Sequence, residues 1–178
     1  MRTLAHSIAI ATGGSGLALL LVGAALQVAG ARINTSRSIP VGLYWTTRAP
    51  MEKGAYVVVC PPRSGVFDDA RQRGYLGAGF CRGGYGYLLK QVAATARDRV
   101  SVTSEGVFVN GQRWPQSMPR LIDKAGRRLP RYQADGYVLG EAEILLMADG
   151  SATSFDGRYF GPVSRAQLQT AIKPILTW

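Results

Sequence analysis

The sequence predicts a mainly β domain in a chain of 178 residues. Three observations point there. Short runs rich in β-branched residues recur between Pro, Gly and Asn turn signals. Two alternating runs flank Glu105-Gly106 as the arms of a hairpin do. Beyond residue 31 only one stretch, Ser164 to Ile172, has helical spacing.

Taken in order, residues 1–6 carry Arg2 and His6, and Ser7 to Ala31 carry no charge. An apolar helix of about 20 residues crosses a bilayer, so this segment is expected to anchor the chain. Cleavage as a signal peptide after Ala29-Gly30-Ala31 is the alternative. The expected division is 1–31 as signal or anchor and 32–178 as the exported domain. Ala55 to Cys60 reads as a buried strand ended by Pro61-Pro62. Tyr85 to Val92 reads as a second strand. Arg99 to Val109 forms the hairpin, and Asn110-Gly111 signals a further turn. Residues 111–136, rich in Pro, Gly and Arg, read as a loop or lid. Tyr137 to Met147 is another strand, with a turn at Ala148-Asp149-Gly150. Ser164 would cap the one helix.

The net charge of +10 is spread over dispersed arginines with no nucleic-acid-binding motif, so no nucleic acid is expected and a solvated or lipid-facing surface is. Two cysteines, Cys60 and Cys81, are too few for a multi-cysteine metal site. No metal and no cofactor is expected. In an oxidising compartment the pair would bridge; two separate buried thiols are the alternative.

Hydrolytic chemistry is constrained by the single histidine, His6, which precedes the uncharged segment. A Ser-His-Asp arrangement is therefore unavailable to a serine beyond that segment. A buried lysine is the physical substitute, because burial disfavours its charged form and frees the amine to act as a base. Ser38 lies shortly after the segment. Lys90 follows Tyr87-Leu88-Leu89 and, by strand alternation, shares a face with Leu88 and Val92. An edge lysine reaching solvent would give the same local pattern. Asp156 and Arg158 are close enough to pair.

The order of these segments resembles the type I signal peptidase family. Ser36-Arg37-Ser38-Ile39-Pro40 is similar to its Ser-x-Ser-Met-x-Pro box, one residue shorter before the proline. Gly54 to Val59 is similar to its Gly-Asp-x-Val-x-Val strand, and Tyr87 to Val92 to its lysine box without the following Arg and Gly-Asp. Val107-Phe108-Val109-Asn110-Gly111 resembles its Val-Tyr-x-Asn-Gly hairpin. Ser154-Phe155-Asp156-Gly157-Arg158 through Val163 resembles its last box, the most specific of the set. Ile after the nucleophile and Gly after the aspartate resemble the short, conjugative-transfer branch.

The resemblance implies a fold of coiled antiparallel sheets and a serine peptidase without cofactors. It implies Ser38 as nucleophile and Lys90 as general base. Ser154 would orient the lysine, and Ser36 with the Ser38 N–H would form the oxyanion hole. Asp156 would be braced by Arg158 or used more directly. The expected substrate is an exported precursor, the conjugative pilin, released by water or by an amine of its own chain as a circle. The expected place is the periplasmic face of the inner membrane, in contact with its lipid, or the periplasm if residues 1–31 are removed. The rival expectation is a non-enzymatic assembly component of the conjugative channel.

Overall fold

The computed structural model describes residues 18–178. His6 and residues 7–17 of the uncharged segment lie outside the described residues. Helical residues 18–29 (α1) run into β1 (Ala31–Asn34) through Gly30. Gly30 has φ 114°, and a Cβ there would lie 2.3 Å from the Thr46 hydroxyl oxygen, so glycine is required at this corner. Among the described residues, no helix is long and apolar enough to cross a membrane.

The architecture is mainly β and antiparallel throughout. The larger, curled sheet has seven strands in the order β1-β2-β12-β3-β5-β10-β11. Its members are β1, β2 (Gly42–Thr47), β3 (Tyr56–Val59), β5 (Leu88–Ala94), β10 (Glu143–Met147), β11 (Val163–Ser164) and β12 (Leu168–Thr177). The smaller sheet runs β8-β7-β6-β9, from Gln112–Arg113, Gly106–Val109, Arg99–Thr103 and Ala134–Val138. A short strand, β4 (Ala78–Cys81), stands apart. Helix α2 (Gly65–Gln72) buries Phe67 and Ala70, and the single turn α3 (Gly157–Phe160) precedes β11.

The hairpin falls where the alternation places it. Val100 pairs with Val109 and Val102 with Val107, and all four are buried in one cluster with Ala93, Leu145 and Met147. Asn110 and Gly111 both have positive φ, 51° and 80°, which is the two-residue turn that Asn-Gly favours.

Three expectations need correction. Ser164 to Ile172 is not a helix. Ser164 does cap a short turn, accepting from the Ala166 N–H, but that turn is a 3-10 segment of three residues, Arg165–Gln167. From Leu168 the chain is strand β12, inserted between β2 and β3. The register shifts between Leu168 and Thr170. This irregularity buries Leu168, Ala171 and Ile172 at spacings that imitate a helix. The expected strand from Tyr137 to Met147 is two strands in two sheets, broken at Gly140, whose N–H is held by the Glu143 carboxylate at 2.8 Å. Helix α2 escaped notice because only Phe67 and Ala70 mark its buried face.

Cys60 and Cys81 form a disulfide with Cα atoms 5.4 Å apart, joining the end of β3 to β4. Opening it is expected to cost about 3 kcal/mol, from the loop of 21 residues it closes. Urea unfolding with and without reductant checks this; equal midpoints would remove the disulfide from the stabilising set.

Candidate active site

The Ser38 loop is held on all sides by polar contacts. Asn34 ends β1 and is only 2% exposed. Its Oδ1 accepts the Ser36 N–H at 3.0 Å and the Ser36 hydroxyl at 2.9 Å. Its Nδ2 faces the carbonyls of Ser36, Ile39 and Pro40 at 2.8, 2.9 and 3.0 Å. The Tyr44 hydroxyl donates to the Pro40 carbonyl at 2.6 Å. The Asp149 N–H donates to the Ser38 carbonyl at 2.8 Å, and the Asp149 carboxylate in turn accepts from the Tyr56 hydroxyl. Burial and that carboxylate push the Tyr56 phenol well above its ordinary value, so it stays a donor. Sequence reading missed Asn34. Its one available signal was an Asx turn, a short amide side chain two residues before Ser36.

Lys90 projects from β5, whose neighbours are β3 and β10. Leu88, Lys90 and Val92 are buried while Leu89 and Gln91 are partly exposed, so the lysine faces the core. It is 1% exposed. Its Nζ lies 2.9 Å from Ser38 Oγ and 2.6 Å from Ser154 Oγ, and the two hydroxyl oxygens are 2.9 Å apart. Burial lowers its pKa from 10.5 to about 8; the Asp156 carboxylate pulls it back up and the Arg158 guanidinium pushes it down. A protonated amine donates to both hydroxyls. Once neutral, it can accept the Ser38 proton while donating to Ser154.

Asp156 and Arg158 are both fully buried and bonded twice, Nε to Oδ1 at 2.7 Å and Nη2 to Oδ2 at 2.9 Å. Asp156 also caps α3, taking the Arg158 N–H, and takes the Ala148 N–H. Arg158 spends its remaining donors on the carbonyls of Gln116, Ala152 and Ser151. All five guanidinium N–H groups are thus satisfied. None of these bonds reaches Ser38 or Lys90. Gly157 permits the arrangement: a Cβ there would sit 2.7 Å from Leu145 Cδ1 and 2.9 Å from the Leu146 carbonyl.

Two clefts meet at Ser38. One, of about 410 Å³, runs between the Ser36–Ser38 loop and the 120–129 segment over Tyr75, Phe155 and Tyr159. The other, of about 290 Å³, runs past Lys90 toward Leu88 and Ile33. The middle of the expected 111–136 loop, residues 120–129, is therefore a wall of the first cleft, while its ends belong to β8 and β9. That wall is folded back by a bridge between Ile122 and Arg128 and tied to Tyr75 through the Asp123 carboxylate. Ser36 lines both clefts, with its hydroxyl turned to Asn34. Among the described residues, no cluster of three or more His, Cys, Asp or Glu side chains is placed to hold a metal ion.

A curled antiparallel β domain with a serine, a buried lysine and a second serine in mutual contact defines a class. Residues 1–177 match the family "Signal peptidase, peptidase S26", and the chain belongs to that family. It is 58% identical over 178 residues to the "Plasmid transfer protein TraF" of Escherichia coli, covering 100% of this chain and 98% of that protein. A second Escherichia coli protein of the same name is 60% identical over 165 residues, 93% of each chain. The "Conjugal transfer protein TraF" of Agrobacterium fabrum is 33% identical over 164 residues, 90% of this chain and 91% of that one.

Proposed function

We propose that this protein is a membrane-associated serine endopeptidase of conjugative transfer, acting through a Ser38/Lys90 dyad on an exported precursor, the pilin being the first candidate. The observation that carries the reading is the triangle of Ser38, Lys90 and Ser154. Family membership supports peptidase chemistry, and the names of the relatives support the setting. The rival reading, an inert assembly component, expects Lys90 in solvent away from Ser38. A 1% exposed amine 2.9 Å from that hydroxyl is a costly arrangement without a catalytic use.

In this mechanism, neutral Lys90 takes the Ser38 proton as Oγ attacks the scissile carbonyl. The Ser38 N–H and the Ser36 hydroxyl, rotated off Asn34, donate to the oxyanion. The ammonium then returns the proton to the leaving amine. Ser154 holds Nζ on line. The acyl group left on Ser38 accepts water or an amine of the same precursor, since an acyl-enzyme takes any well-placed nucleophile.

The proposed location is the periplasmic face of the inner membrane. Leu19, Leu20 and Leu21 on α1 are exposed and continue the uncharged segment. One residue, Gly30, separates α1 from β1, and the Ser38 loop follows β1 directly.

The decisive experiment is mass spectrometry of the candidate pilin from cells with and without this protein. The expected result is a shortened product, linear or circular, only when the protein is present. An identical pilin mass in both strains would overturn the assignment of the pilin. The pH profile tests the base. Lys90 must lose its proton to act, and its pKa is about 8. Activity at subsaturating substrate should therefore rise about tenfold per pH unit below 8 and level off above it. A flat profile from pH 6 to 9 would rule out the lysine base.

A further inference from the structure

The larger cleft at Ser38 carries unpaired charge of one sign only. Arg37, Arg120 and Lys124 line it and are exposed. Among the described residues, none of the three is in a salt bridge. The lining holds one acidic residue, Asp123, and that carboxylate is already held by Arg127 at 2.7 Å and by the Tyr75 hydroxyl. Arg127 also lies over the Tyr75 ring, 5.6 Å from its centroid, and is fixed there. The buried Arg158 is neutralised by Asp156. The field over this cleft is therefore positive, from three cations with no internal counter-charge. Thr153 and Ser151 add hydroxyls to the same lining. The smaller cleft differs. Lys90 is its one charged lining residue, and the rest is uncharged, Ile33, Leu76, Leu88 and Leu89 standing beside Asn34 and Thr35.

The position of the cations is built in. The Arg120 N–H donates to the Tyr159 hydroxyl at 3.1 Å, pinning that backbone above the buried floor. Lys124 sits in a tight turn whose Ala125 and Arg127 N–H groups both donate to Asp123 Oδ1 at 2.8 Å. Arg37 is next to Ser38 itself. A chain crossing Ser38 in extended form must run through this cleft on one side of the bond to be cut.

We propose that the larger cleft recognises an acidic side chain of the substrate within a few residues of the scissile bond, on one side of it. This rests on the peptidase reading for its geometry but not for its test. Three exposed cations attract a carboxylate weakly one at a time and additively where they converge. The other side of the bond, in the smaller cleft, would take uncharged side chains.

The test uses the full-length protein in nonionic detergent and pairs of fluorescent octapeptides in which one Glu or Gln is moved through the positions flanking the bond. Binding is read by anisotropy on the Ser38→Ala protein, and cleavage on the unaltered one. At one position at least, the Glu peptide should bind roughly fivefold to tenfold more tightly than its Gln twin. That ratio should fall toward about one in Arg120→Gln/Lys124→Gln, and should shrink between 50 and 500 mM NaCl. Equal or weaker binding of Glu at every position would overturn the proposal, as would a ratio unmoved in the double variant. Preferential Glu binding with no cleavage of any peptide would keep this proposal and count against the peptidase reading instead.

Discussion

Ser38→Ala and Lys90→Met are each expected to abolish precursor processing, by at least about 10⁴-fold, in a protein that still folds. In the proposed dyad the two act as one unit, so the double variant should be no worse than either single one. The Lys90 substitution carries a second, opposite expectation. Lys90 has a pKa of about 8 in the folded protein against an ordinary 10.5. Below pH 8 both folded and unfolded chains hold the proton, and the folded one keeps a buried charge. Between 8 and 10.5 the unfolded chain binds more proton, so stability rises with pH through that window and the penalty is gone above it. At pH 7 the full penalty, about 3 kcal/mol, is present. Lys90→Met should therefore stabilise the domain at pH 7, by about 2 kcal/mol once the lost bonds to Ser38 and Ser154 are counted. Thermal melts of the inactive variant check both halves. Normal processing by folded Lys90→Met would end the dyad, and a lower melting temperature at pH 7 would contradict the burial penalty.

The largest loss of stability is expected at Asp156 and Arg158. Asp156→Ala leaves a fully buried guanidinium with Nε and one Nη2 donor unpaired. It also strips the α3 cap and the Ala148 N–H of their acceptor. Breaking such a buried pair costs about 3 to 5 kcal/mol. Denaturant midpoints measure this directly. Arg158→Met should cost less, because the freed carboxylate keeps its two backbone donors, the residue-158 and Ala148 N–H groups. Equal midpoints for Asp156→Ala and the unaltered protein would show that the pair holds nothing together.

How much of this could be read beforehand depends on the range of the forces involved. Local patterns survived translation into structure. The hairpin at Glu105-Gly106, the Asn110-Gly111 turn and the buried run around Val57 are decided by neighbours in sequence. Lys90 was legible as a core-facing residue because strand alternation with Leu88 and Val92 is also local. Ser164 to Ile172 failed for the opposite reason. From Leu168 its backbone partners, Tyr56 to Val59 and Thr46 to Thr47, lie more than a hundred residues earlier. A register shift there copies helical spacing. The split between β9 and β10 is likewise a choice of sheet, which no local run encodes. Within the site, the serines and the lysine stood out by chemistry and by resemblance. Asn34 did not, since its worth lies in three carbonyls that converge only in the folded loop.

The position of β12 between β2 and β3 has a consequence for when the machinery can exist. The Ser38 loop leads into β2, and Lys90 belongs with β3 and β5. The sheet joins those two parts only through β12, the last of its strands in chain order. Ser38 and Ser154 are 116 residues apart, so the three groups cannot meet on a partly emerged chain. An unfinished molecule holds a serine and a lysine with nothing to bring them together. Under the proposed peptidase function, such a chain is harmless to its neighbours until β12 is in place.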